Sequence, residues 1–258
     1  MYILASDFDE TLKRGGTVSR EDIRTIQKVR EEGNIFGIVT ARSYDMLKAA
    51  LWFYRIPYDF LILINGGMIL DKDKNVLFES YIEDAGAFQI LQEVKKREVN
   101  IAGVSDGIHF SIVKHKNDFA NSMKALGLNL IATPVNRLKG FASFFFESER
   151  EVTEELYEVF KDKSSVSCVR NVDSIVDLSA YGVDKAHALT FLKENYGIEK
   201  VYVIGDSRND LQMIETHIGI AIENAEAEVK EKARVTVRNF AECKRWIDFE
   251  RKQTDLEK

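Results

Sequence analysis

The sequence predicts an α/β fold: a Rossmann-like doubly wound parallel sheet with an α+β module inserted in its middle. Three observations carry this expectation. Short apolar runs near both chain ends are continuous rather than alternating, as in strands buried on both faces. Segments with apolar residues at helical spacing lie between those runs. The central third reads instead as pairs of strands joined by tight turns, with helices between them.

The buried strands are expected at 2–6, 35–39, 60–64, 201–205 and 218–222. Each runs into a polar residue: Asp7, Thr40, Asn65, Asp206 and Glu223. Helices are expected at 20–32, 43–54 and 184–196. The first has Ile23, Ile26 and Val29 on one face, Ser19 placed to cap it and Gly33 placed to stop it. In open α/β sheets ligands bind outside the carboxyl ends of the strands. Asp7, Thr40 and Asp206 all fall at such ends, so one crevice is expected to collect them.

The middle reads as a helix at 84–98, strands at 99–104 and 107–113, and a helix at 117–126. A strand at 141–147, a helix at 149–161 and strands at 165–170 and 173–178 follow. Ser105-Asp106-Gly107 and Asn171-Val172-Asp173 mark the hairpin turns. The expected domains are therefore a core made of 1–82 and 180–258, and an inserted module at 83–179. From about Glu250 onward the charge density predicts a frayed tail.

Composition narrows the function classes. The chain has 258 residues, 45% hydrophobic and 30% charged, enough for a core and a second domain. The net charge of −6 is spread without a basic block, so no nucleic-acid partner is expected. Two cysteines, Cys168 and Cys243, lie far apart, in no metal-ligand spacing, and are expected to be free thiols. No apolar stretch approaches the roughly 20 residues that span a bilayer, and the N-terminus lacks a basic leader. A cytoplasmic protein with no membrane partner is the expectation.

Four short motifs bear chemistry. Asp7-Phe8-Asp9-Glu10-Thr11 sets two carboxylates two residues apart beyond a buried strand; one carboxylate can attack while its neighbour moves protons. Thr40, in Val39-Thr40-Ala41-Arg42, offers a hydroxyl and helix-opening N–H groups to a phosphate oxygen. Lys185 stands at a helix start, where its cation can neutralise phosphate charge. Gly205-Asp206-Ser207-Arg208-Asn209-Asp210 crowds two acids and an amide into one loop, a set suited to a hard divalent cation. Taken singly, each has a plain structural counterpart: an acidic turn, a helix cap, a solvated lysine, a capping loop. No G-x-G-x-x-G follows the first strand, so a dinucleotide-binding dehydrogenase is disfavoured.

In this order the four motifs resemble those of the haloacid dehalogenase (HAD) superfamily. The inserted module resembles the larger α+β cap of its Cof-type branch. Leu63-Ile64-Asn65-Gly66-Gly67 and Gly219-Ile220-Ala221-Ile222-Glu223-Asn224-Ala225 resemble that branch as well. The resemblance implies a magnesium-dependent phosphatase acting on a small phosphate ester, a sugar phosphate in the first instance. It makes Asp7 the nucleophile and Asp9 the general acid/base. Asp7, the Asp9 main chain and Asp206 would hold Mg2+, supported by Asp210. Phe8, Thr40, Ala41, Lys185 and Asn209 would hold the phosphate, and the cap would close over the crevice and select the substrate. Where the family often has glycine, this chain has Glu10 and Ala186. A phosphosugar mutase is the alternative and a non-catalytic phospho-ligand sensor a more distant one. The expected assembly is a monomer or weak homodimer. Loops 103–111 and 134–141, with His109 and Arg137, are candidate substrate contacts, although such residues are more often structural. Phe144, Phe145 and Phe146 are expected in the strand core.

Overall fold

In a computed structural model, residues 1–116, 132–172 and 174–256 are described. They form two compact units. One comprises Met1–Val39, Ala50–Leu61 and Leu189–Lys258; the other comprises Thr40–Ala49 and Ile62–Ala188.

The first unit is built on parallel strands. β1 (Ile3–Asp7), β2 (Ile35–Val39), β11 (Val201–Gly205), β12 (Ile218–Ile222) and β13 (Val235–Val237) lie in the order β13-β12-β11-β1-β2. Every pairing among them is parallel. Residues 3–7 of β1 and 201–205 of β11 are buried throughout, which is why their sequences do not alternate. Chain order reverses between β1 and β11, the switch point where α/β sheets open a crevice.

Helices cover this sheet. The helix Arg20–Glu31 packs on the helix Phe240–Leu256. Its Ser19 cap accepts the Asp22 N–H at 3.0 Å, and Gly33 follows its end at φ 79°. Asp22 is fully buried; it accepts the Phe240 N–H at 3.0 Å and pairs with Arg14. The expected frayed tail from Glu250 is corrected: the helix runs on to Leu256. Glu250 accepts the Tyr202 hydroxyl at 2.5 Å, and Arg251 lies 5.1 Å from the Tyr2 ring centroid. These charged side chains are anchored by Tyr202 on β11 and by Tyr2, just before β1, which composition alone does not reveal. The short strand β13 and the helices Leu211–Thr216 and Ala227–Lys232 have no counterpart in the sequence reading.

β3 (Phe60–Leu63) ends one residue earlier than expected, because Ile64 turns into the left-handed region. In the second unit β4 (Met68–Asp71) and β5 (Val76–Glu79) pair as a hairpin, also unforeseen. A five-stranded antiparallel sheet follows: β6 (Ile101–Ser105), β7 (Phe110–His115), β8 (Ser143–Glu147), β9 (Val166–Val172) and β10 (Ile175–Ala180), ordered β7-β6-β8-β10-β9. The helices Asp84–Lys96 and Arg150–Phe160 share its core with Phe144, Phe146, Val176 and Leu178. The expected helix at 117–126 lies outside the described residues, as does Asp173. Both cysteines are free thiols. Among the described residues, no helix is long and apolar enough to cross a membrane.

One ionic contact ties a helix to the parallel sheet. Arg30 donates to both oxygens of Asp59, at 2.9 and 2.7 Å, and Asp59 also accepts the Phe36 N–H at 3.0 Å. Removing this carboxylate strands a guanidinium and a backbone donor together. Asp59→Ala is expected to destabilise the protein by about 1–3 kcal/mol, read as a fall in the urea midpoint at unchanged slope; an unchanged midpoint would show the contact to be inert.

Candidate active site

Asp7 is the last residue of β1 and is 6% exposed. The chain then turns sharply: Leu12 and Lys13 both donate to the Phe8 carbonyl, at 3.1 and 2.7 Å, and Phe8 itself is buried. Asp9 bridges to Lys13 in this turn. Glu10 sits at φ 57°, which explains why glycine suits that position: the left-handed region costs a side chain about 1–2 kcal/mol. Its carbonyl accepts the Asn224 amide at 2.8 Å. The buried Thr11 hydroxyl donates to Asp206.

Asp206 follows β11, the strand beside β1, in a ladder that sets Ser6 against Ile204. The loop beyond is folded onto Asp210, which is fully buried. Asp210 Oδ2 accepts the N–H groups of Asp206 and Ser207, at 2.9 and 3.2 Å, while the Ser207 hydroxyl donates to Asn209 Oδ1 at 2.7 Å. Gly205 makes this possible, since a Cβ there would stand 2.6 Å from that of Asp210. Carboxylate oxygens of Asp7, Asp206 and Asp210 thereby come within 4.8 Å of one another. Three like charges this close repel unless a cation lies among them, and hard carboxylate oxygens suit a divalent one such as Mg2+. The donor set fits the expected metal. Asp9 is not one of the three; its expected contribution was through its main chain.

Thr40, Ala41 and Lys185 belong to the second unit. Thr40 and Lys185 are each 1% exposed. The Thr40 N–H donates to Ile62 at 2.9 Å, its carbonyl accepts from Asn65 at 3.0 Å, and its hydroxyl accepts the Arg42 N–H at 3.2 Å. Ala186 is buried in the helix that Lys185 begins.

This unit also holds a cavity of about 160 Å³, whose lining includes Ala41, Arg42, Ser43, Asn65, Phe145 and Asp177. Asn65 donates a side-chain hydrogen bond to Asp177. Burial pushes the Asp177 carboxyl up to about 7, against the lowering effects of Asn65 and the Lys185 charge. The sequence reading missed Asp177. Its signal was an acid between Val176 and Leu178 in a strand otherwise apolar at its centre. Asn65 was noted only as part of a pattern. Phe145 corrects another expectation: Phe144 and Phe146 are core residues, but Phe145 projects the other way and lines the cavity. His109 and Arg137 do not reach it. They line a separate surface cavity with Tyr81 and Glu79, and His109 Nδ1 lies 3.1 Å from Asp45.

The chain is similar to known proteins. A family model described as haloacid dehalogenase-like hydrolase matches residues 4–242. Two similar curated proteins are the 5-amino-6-(5-phospho-D-ribitylamino)uracil phosphatases YcsE and YwtE of Bacillus subtilis (strain 168). YcsE is 24% identical, covering 90% of this chain and 87% of its own length. YwtE is 26% identical, covering 90% and 91%. The HAD subclass IIB sugar phosphatase BT4131 has a similar solved structure, with TM-score 0.78 and 19% identity over 94% of this chain and 95% of its own.

The raised Asp177 carboxyl gives a stability prediction. It holds its proton to about pH 7 in the fold and to about 4 in the unfolded chain. Its favourable contribution is therefore complete below about pH 4 and is lost as pH rises through 7. Asp177→Asn is expected to gain stability over the parent as pH rises from 4 to 8, by on the order of 4 kcal/mol. Thermal unfolding at several pH values measures this, and a pH-independent difference would contradict it.

Proposed function

Since the chain belongs to the haloacid dehalogenase-like hydrolases, we propose that it is a magnesium-dependent phosphatase of small phosphorylated sugars or polyols, working through an aspartyl-phosphate on Asp7. The observation that carries this reading is the buried Asp7 carboxylate at the end of β1, within 4.8 Å of those of Asp206 and Asp210. Similarity over 90% of this chain to phosphatases that act on a phosphoribityl compound supports both the reaction and the substrate class. The proposed core and specificity cap are residues 1–82 with 180–258, and 83–179.

In the first step an Asp7 oxygen forms a bond to phosphorus as the bond to the leaving oxygen breaks, and Asp9 gives its proton to that oxygen. In the second, Asp9 takes a proton from water as the water attacks phosphorus. The Asp7–phosphorus bond then breaks and inorganic phosphate leaves. Phosphoryl transfer asks for positioning and charge neutralisation more than covalent invention. Thr40, the N–H groups of Phe8 and Ala41, Asn209 and the Lys185 ammonium supply these for the phosphate oxygens. Asp7, Asp206 and the Asp9 carbonyl would hold Mg2+, with Asp210 fixing the loop. When bound, the ion neutralises the carboxylates and the incoming phosphate.

Two outcomes are expected. Purified protein with Mg2+ should release phosphate from a panel of sugar and polyol phosphates, and EDTA or Asp7→Asn should abolish that release. Persistence of the activity in Asp7→Asn would overturn the covalent route. Asp9→Asn should still become phosphorylated on Asp7 but turn over about 10²–10⁴-fold more slowly. Intact-protein mass spectrometry would show the trapped adduct, and wild-type turnover would remove Asp9 from the mechanism.

A further inference from the structure

The cavity of the second unit contains two buried polar atoms for which the fold supplies no partner among the described residues. They are Ser43 Oγ, on a fully buried residue, and Asn65 Oδ1, on one 7% exposed. A buried polar atom left unpaired costs about 1–3 kcal/mol, so such atoms in a cavity mark where another molecule completes the bonding. Ser105, which also lines the cavity, differs: it donates to the His109 carbonyl at 2.7 Å and accepts from Gly107 at 2.8 Å.

The orphaned atoms have a definite polarity. An amide oxygen only accepts hydrogen bonds. Its amide nitrogen is turned to Asp177, whose carboxylate also accepts. A molecule filling this wall must therefore bring an O–H or N–H donor to Asn65, while the Ser43 hydroxyl and the Asp177 carboxyl, which keeps its proton to about pH 7, can each give or accept. Asn65 is held in place at a cost. It has φ 55° and ψ 30°, and the preceding β-branched Ile64 has φ 45°.

Two aromatic rings also line the cavity. Phe145 stacks on Phe110 with centroids 5.3 Å apart and planes at 27°. Gly103, Phe145 and Asp177 stand in register across β6, β8 and β10. A Cβ on Gly103 would meet the Phe145 ring at 2.0 Å, so the missing side chain makes room for that ring. Ala41 and Arg42, which follow the proposed phosphate-holding Thr40 in sequence, also line the cavity.

We infer that this cavity binds the leaving group of the substrate, with the hydroxyls of a polyol chain on Asn65, Asp177 and Ser43 and a planar ring against Phe145. This rests on the phosphatase reading and deepens it. Asn65, Asp177 and Phe145 are then specificity residues. A site built to bond a substrate hydroxyl rejects esters that lack it, because its own polar atoms are left unpaired.

The test compares three probes: acetyl phosphate, which has neither hydroxyl nor ring; ribitol 5-phosphate; and 5-amino-6-(5-phospho-D-ribitylamino)uracil. The first readout is the ratio of kcat/KM for ribitol 5-phosphate to that for acetyl phosphate. It should fall about tenfold or more in Asn65→Gly, which keeps the backbone angle, and in Asp177→Asn, chiefly through KM. Phe145→Leu should instead narrow the preference for the ring-bearing ester over ribitol 5-phosphate. Unchanged ratios in folded variants would overturn the assignment, as would equal losses on all three esters. If the parent protein hydrolyses none of the esters, the phosphatase reading fails by itself. The cavity is then judged by binding of 5-amino-6-(D-ribitylamino)uracil: loss of NMR-detected binding in Asn65→Gly supports the inference, and absence of binding to the parent ends it.

Discussion

Three carboxylates within 4.8 Å are a repulsion that the surrounding fold has to withstand. At an effective dielectric near 20, two unit charges about 4 Å apart interact by roughly 4 kcal/mol. A flexible loop would relieve this by moving apart. Here the means of escape are closed. Asp7 is the buried end of a central strand, and Asp206 leaves the next strand in a fixed parallel register. Asp210 is pulled inward by two backbone donors, and Thr11 holds Asp206 from the opposite loop. The stability of the sheet is thus partly used to keep charge concentrated, and a bound cation relieves that stress. A cation bound there would couple metal binding to folding for this reason.

The two compact units carry different chemistry. The first presents negative charge on rigid strand ends. The second buries a lysine and a threonine and encloses a cavity in which two polar atoms, Ser43 Oγ and Asn65 Oδ1, have no partner among the described residues. Rigid elements position the groups of the first, while strained backbone at Ile64 and Asn65 positions those of the second. Both devices hold a side chain where solvent alone would not keep it.

Much of the parallel sheet was legible because its rules are local. Strands buried on both faces read as continuous apolar runs, and the residue beyond each run is placed by topology. Asp7, Asp206 and Asp210 could be found from spacing and strand ends. Asp177 could not: its meaning comes from Asn65 and Lys185, each remote in sequence, and a strand acid more often faces water. The strands at 68–71 and 76–79 were hidden by brevity and by a charged turn, Asp71-Lys72-Asp73-Lys74, that dominates the local composition. The tail misled because charge was read as solvation, whereas Tyr202 and Tyr2 give Glu250 and Arg251 their places.

The alternation of β8 separates two kinds of inheritance. Phe144 and Phe146 belong to the core, while Ser143 and Phe145 face the cavity. Substitutions at 143 and 145 can therefore explore new ligands while the packing beneath is left intact. An insertion or deletion of one residue would exchange the two faces and spoil both at once. Descendants of this chain should diversify their chemistry by point changes along this strand and hold its length constant.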